Sequence, residues 1–260
     1  MDFYQKNKEI VLTILSVFIV LLLWKTTYHI ACFSLIIPAI FVLIIAYSFI
    51  EIRLRQKECF KNCYFKDDTF LAKIITSPYF TSIIFVILSF VYTFSFMYNS
   101  LNFDIKFYVL LIVFVALAFY IYKFFVKRFS NLINEKHLEI FAREVTIKIT
   151  ALILLILYGI YFMYGYEPSY LKDSLELTIQ EATNSIHSNC AFIDWVLRLQ
   201  VELDSTILFL TKATANSIEN KDTNNLIWIG FIIVNALSIL GLNRFIIQII
   251  YLINKYKEKI

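Results

Sequence analysis

Apolar residues in this chain do not alternate, and for most of its length they do not mark one stripe of a helix; they continue for about twenty positions at a time. Six such stretches occur, at 10–28, 30–50, 78–98, 105–126, 145–166 and 226–250. A hydrocarbon core about 30 Å thick needs roughly that length of helix. The pattern therefore predicts an all-α integral membrane protein, a bundle of about six transmembrane helices in one polytopic domain.

Two connections have a different rhythm and predict amphipathic helices. Between 128 and 144 the apolar residues Phe129, Leu132, Ile133, Ile140 and Phe141 recur near helical spacing, and Glu139 stands four before Arg143, a favourable ion-pair spacing. Between 167 and 225, Phe192, Val196, Leu199, Leu203, Ile207 and Leu210 make an apolar face opposite Asp194, Arg198, Glu202 and Ser205. Four charged residues from Asp194 to Asp204 make that segment a poor span, so 167–225 reads as an external helical insertion.

Local signals refine the ends. Ser77 before Pro78 predicts a cap followed by a first-turn proline. Pro38 falls inside the second stretch and predicts a kink there. Trp24, Trp228, Tyr161, Tyr164 and Tyr166 fall at span ends, where aromatic belts form.

Composition agrees with the pattern: 60% of the 260 residues are apolar and 17% charged, where soluble domains carry about a quarter charged. Four glycines and three prolines leave little material for the broken helices of many transporters. The 24 Lys and Arg divide as 18 before the first span, after the second and fourth and in the tail, against six in the other connections. Cytoplasmic loops keep such an excess, so both termini are expected on the cytoplasmic side of a bacterial inner membrane. The 167–225 segment, with nine acids and four bases, is then external. Lys6 and Lys8 before the first stretch resemble a signal peptide, but no small-x-small cleavage site follows, and the segment reads as a retained helix.

Chemistry is sparse. His29, His137 and His187 stand alone, no nucleophile elbow, zinc-peptidase signature or phosphate loop occurs, and no carboxylate pair interrupts a span, so no catalytic residue, cofactor or metal is expected. Cys59 and Cys63 share a helix face, a weak metal or redox signal, and Cys190 reads as unpaired within the chain. Basic and aromatic residues from Arg53 to Lys66 adjoin a span, which points to topology and anionic lipid; nucleic acid is not expected.

Two polar groupings remain. Ser82, Ser89 and Thr93 form an intrabundle stripe suited to interhelical hydrogen bonds or a permeation lining, and Asn235, Ala236, Ser238 and Gly241 suit close helix packing. Asp194, Trp195, Arg198, Leu199 and Glu202 form a candidate partner or pore face. The expected function is a non-catalytic subunit, scaffold or effector of a membrane assembly, with membrane lipid and either further copies or other membrane-complex subunits as partners. An oligomeric ion channel is the first alternative. The fourth span lacks a voltage sensor's spaced arginines and 208–216 has no glycine-rich filter, so that reading rests on self-assembly. A secondary transporter is the second.

Overall fold

The computed structural model describes residues 2–64, 77–165, 168, 170–216 and 221–257, and among them every regular element is helical. Helix α1 (Asp2–Thr27) leads through a turn into a short 3-10 segment, Cys32–Leu35, and α2 (Ile36–Tyr64). Then come α3 (Pro78–Leu101), α4 (Ile105–Phe129), α5 (Glu135–Gly165), α6 (Leu175–Asn184), α7 (Ala191–Asn216) and α8 (Lys221–Lys257). Five helical stretches among the described residues are long and apolar enough to cross a membrane: Lys8–Thr27, Cys32–Lys57, Pro78–Leu101, Ile105–Phe129 and Asn235–Tyr256. The protein is an all-α membrane protein. Of the sixth expected stretch, 145–166, residues 145–165 lie in α5; the side chains from 162 to 165, Tyr164 included, and the whole of Tyr166 fall outside the described residues.

Local chemistry fixes several helix ends. Asp104 caps α4 by accepting the Phe107 N–H at 2.8 Å, and Ser174 caps α6 by accepting from Leu177. Pro78 opens α3 as expected, but Ser77 caps it with its carbonyl, which accepts from Thr81, and not with its hydroxyl. Pro38 makes no mid-helix kink: the 3-10 segment delays α2 until Ile36, leaving Pro38 in the first turn, where its missing N–H costs nothing. The 128–144 stretch is divided between the end of α4, a turn and the first ten residues of α5.

The last helix is the post around which the others stand. Two thirds (67%) of Asn235–Tyr256 is buried, against 22–33% of the other four spanning stretches. It packs on α5, α3, α7, α2, α1 and α4. Gly241 permits its close crossing with α3, since a Cβ there would lie 2.9 Å from the Tyr92 carbonyl oxygen. Phe245 packs on Phe41 with ring centroids 4.0 Å apart, within a core that includes Phe96, Leu242, Ile246 and Ile250. Facing away are Leu15, Ile19, Leu43, Ile83, Ile87, Val113, Leu152 and Ile156, exposed apolar side chains suited to lipid.

Trp24 is an exception to the expected belt. It is buried and donates from Nε1 to the Met97 carbonyl at 3.0 Å, joining α1 to α3. Beside it the Lys25 ammonium donates to the Phe103 carbonyl.

Candidate functional site

Two regions combine polar chemistry with a position that packing alone does not require. The first is a charged cluster where α2, α5 and α8 meet, toward the ends of those helices that carry Arg53, Arg55 and Lys255. Arg143 on α5 has no exposed surface; its guanidinium lies 2.6 Å from Glu51 and donates to Gln248, the Ser48 carbonyl and Glu144 at 3.1–3.4 Å. Arg244 on α8 bonds Ser48 Oγ and Glu144 and stacks 3.7 Å over the Phe49 ring. Tyr251 donates to Glu51, and Lys255 donates to Tyr251 and pairs with Glu51 at 3.3 Å. A side branch joins Glu9, Lys123, Asn254 and Glu139.

Glu139 is thus engaged with Asn254, and Arg143 is not its partner despite the i, i+4 spacing. The cluster holds three cations, Arg143, Arg244 and Lys255, and two carboxylates, Glu51 and Glu144. Arg143 Nε, Gln248 Nε2 and Asn243 Oδ1 are buried without a hydrogen-bond partner among the described residues. A buried ion network is seldom more stabilising than apolar side chains of the same shape, whereas removing one partner from it is costly.

The sequence held a signal for it. Arg244, Gln248, Tyr251 and Lys255 recur at intervals of four, three and four along an apolar run, and Glu51 follows the second stretch. Their spacing within each helix carries no record that three helices bring them together.

The second region is α7 and its attachment. Cys190 is not a free thiol: it forms a disulfide with Cys32, 158 residues earlier, joining the start of α7 to the 3-10 segment before α2. Around it Ser188 Oγ donates to the Tyr28 carbonyl at 2.6 Å, and Asn189 donates to the carbonyls of His29 and Ile30. Asp194 completes the corner by accepting from the Ser188 N–H and from Arg198 at 2.7 Å, with His187 at 3.3 Å. Burial works to raise the Asp194 carboxyl, but the Ser188 N–H, Arg198 and His187 together hold it below the usual carboxylate range.

The buried face of α7 is rotated from the expected one. Ile193, Leu197, Val201, Ser205 and Leu208 face the protein, so Ser205 is interior, while Leu199, Leu203 and Leu210 are exposed. Exposed Trp195 and Leu199 therefore stand next to the column of Asp194, Arg198 and Glu202, with Arg198 and Glu202 exposed. The chain matches no known family model, curated protein or solved structure.

The expected intrabundle stripe is partly interior. Ser89 and Thr93 are fully buried and Ser82 is half-buried. Ser89 donates to the Phe85 carbonyl of its own helix, and Thr93 Oγ1 has no partner among the described residues, so neither links two helices. The Cys59 and Cys63 side chains, and residues Phe65 and Lys66, lie outside the described residues; among the described ones no group of His, Cys, Asp and Glu suits a metal.

Proposed function

We propose that this chain is a non-catalytic, multi-pass protein of a bacterial inner membrane that acts through protein contacts, as a subunit or scaffold of a larger assembly. The observation carrying this reading is the composition of the exposed side of α7. Trp195, Leu199, Leu203 and Leu210 are about half exposed or more beside a charged column, on a helix that a disulfide and three neighbouring hydrogen bonds anchor to the bundle. Large apolar side chains held rigidly in the open, next to charges that set register, are what partner faces require.

The orientation belongs to the same proposal. Disulfides persist in oxidising compartments, so the Cys32–Cys190 end faces outward and the Lys/Arg-rich ends, with both termini, face the cytoplasm. The two signals are independent and agree.

Solubilising native membranes in mild detergent and recovering a tagged chain tests the reading. A partner at constant stoichiometry is expected, with roughly tenfold less recovered from Trp195→Ala, a central aromatic anchor. A chain that purifies alone, with α7 substitutions changing nothing, would overturn it.

One observation favours a second reading, ion or solute movement: Arg143 is buried with two carboxylate partners where the charged ends of three helices meet, and buried ionisable groups of membrane proteins commonly line pathways. Flux through proteoliposomes that Glu51→Gln abolishes would favour it over the first.

A further inference from the structure

The two cysteines of the Cys32–Cys190 bridge are not equally exposed. Cys190 has no exposed surface, whereas Cys32 is exposed at the start of its 3-10 segment. The rim around them is open and mixed: His29 and Asn189 are exposed beside Ile30 and Phe33, and His187 shows 67% of its side chain. Thiol–disulfide exchange requires in-line approach of a thiolate to one sulfur, so access decides which sulfur is attacked and which leaves.

We infer that Cys32 is the exchange site of this protein, the sulfur through which a dithiol–disulfide oxidoreductase makes and reopens the bridge, with Cys190 as the resolving thiol. In formation, the Cys32 thiolate attacks the oxidised C-x-x-C disulfide of the oxidoreductase. A mixed disulfide forms at Cys32 and one oxidoreductase cysteine departs as thiolate. The Cys190 thiolate then attacks Cys32 Sγ, closing the bridge and releasing the second oxidoreductase thiolate. Two protons leave the chain's thiols and two electrons pass to the oxidoreductase. Reopening is the reverse: a partner thiolate attacks Cys32 Sγ, Cys190 leaves as thiolate and takes a proton, and the partner's second thiol resolves the mixed disulfide.

The surrounding hydrogen bonds make this order workable. Ser188 and Asn189 bond to the carbonyls of Tyr28, His29 and Ile30 without using either sulfur, so they hold the two cysteines close while the bridge is open. The resolving step is then a short intramolecular one. The opposite order would bring a bulky partner to a sulfur enclosed by protein.

The test uses the full chain in lipid nanodiscs, in a Cys59→Ser, Cys63→Ser background, reduced and then exposed to glutathione disulfide. With Cys190→Ser, the glutathione adduct on Cys32 is expected to accumulate; with Cys32→Ser, Cys190 should react roughly tenfold more slowly or worse, and only detergent unfolding should release it. With both cysteines present, the bridge should form without a lasting adduct. In a second measurement, 2-mercaptoethanol added to the oxidised chain and quenched with acid should leave its mixed disulfide on Cys32 by mass spectrometry. Equal or faster reaction at Cys190, a mixed disulfide on Cys190, or no adduct on folded Cys32 would each overturn the assignment. None of these outcomes depends on whether α7 binds a partner.

Discussion

Arg143 Nη1 lies 2.6 Å from Glu51 Oε2, joining helices α5 and α2 across 92 residues of sequence, and the arginine has no exposed surface. The cost of losing one partner follows from that burial. Glu51→Ala leaves a desolvated guanidinium with one fewer counter-charge and should lower stability by about 3–5 kcal/mol. Thermal unfolding in detergent measures it. Pairing Glu51→Ala with Arg143→Met should restore part of the loss, and a double variant no better than Glu51→Ala alone would refute the account.

Gly241 should be intolerant of even one methyl group. A Cβ there meets backbone, the Tyr92 carbonyl oxygen at 2.9 Å and its carbon at 3.3 Å, so α3 and α8 would have to separate. Gly241→Ala is expected to cost about 1–3 kcal/mol, the usual range for overpacking. Gly230, with nothing within 4 Å of its Cβ position, is the control, and Gly230→Ala should leave the midpoint unchanged or raise it.

Asp204 gives α7 a pH dependence of definite sign. Burial pushes its carboxyl up to about 7, from an ordinary value of 3.8. The folded state therefore holds a proton that the unfolded state releases, and stability present below about pH 4 is lost as pH rises through about 7. Hydrogen exchange across 191–216 should speed up between pH 5 and 8, as an ordinary exchange-rate correction does not explain, and Asp204→Asn should flatten that excess.

Trp24→Phe should cost less than its burial suggests. The indole donates to the Met97 carbonyl, but Ser100 Oγ also donates to that oxygen at 2.7 Å, so the acceptor is not orphaned. A loss of about 1 kcal/mol is expected, against 3–5 for Trp24→Ala, which also opens a cavity. Chemical denaturation in mixed micelles would separate the two.

The long apolar stretches were legible because lipid demands a simple pattern: about twenty apolar residues and satisfied backbone. What remained hidden were pairings across the sequence. Arg143 reaches Gln248 over 105 residues and Cys32 reaches Cys190 over 158, and no local spacing records such distances. Trp24 was open to a different misreading, since an aromatic at a span end looks the same in sequence whether lipid or Met97 receives it. On α7 two apolar rows compete for one interior, and hydrophobicity does not rank them: Ile193, Leu197 and Val201 turn inward and Leu199 and Leu203 do not. Ser205 went inward with the first row because its register, not its polarity, decided its place.

That α8 fills the centre has a consequence for how the chain is made. A ribosome delivers the central post after all the helices that surround it, so α1 to α5 must wait in the lipid with their inward faces uncovered. Glu51 and Glu144 both precede or adjoin Arg143 in order of synthesis, which gives that guanidinium counter-charges before Gln248 and Tyr251 emerge. A nascent chain stalled before Lys221 would keep the surfaces that α8 covers exposed, the form most in need of a membrane chaperone and most exposed to quality-control proteases.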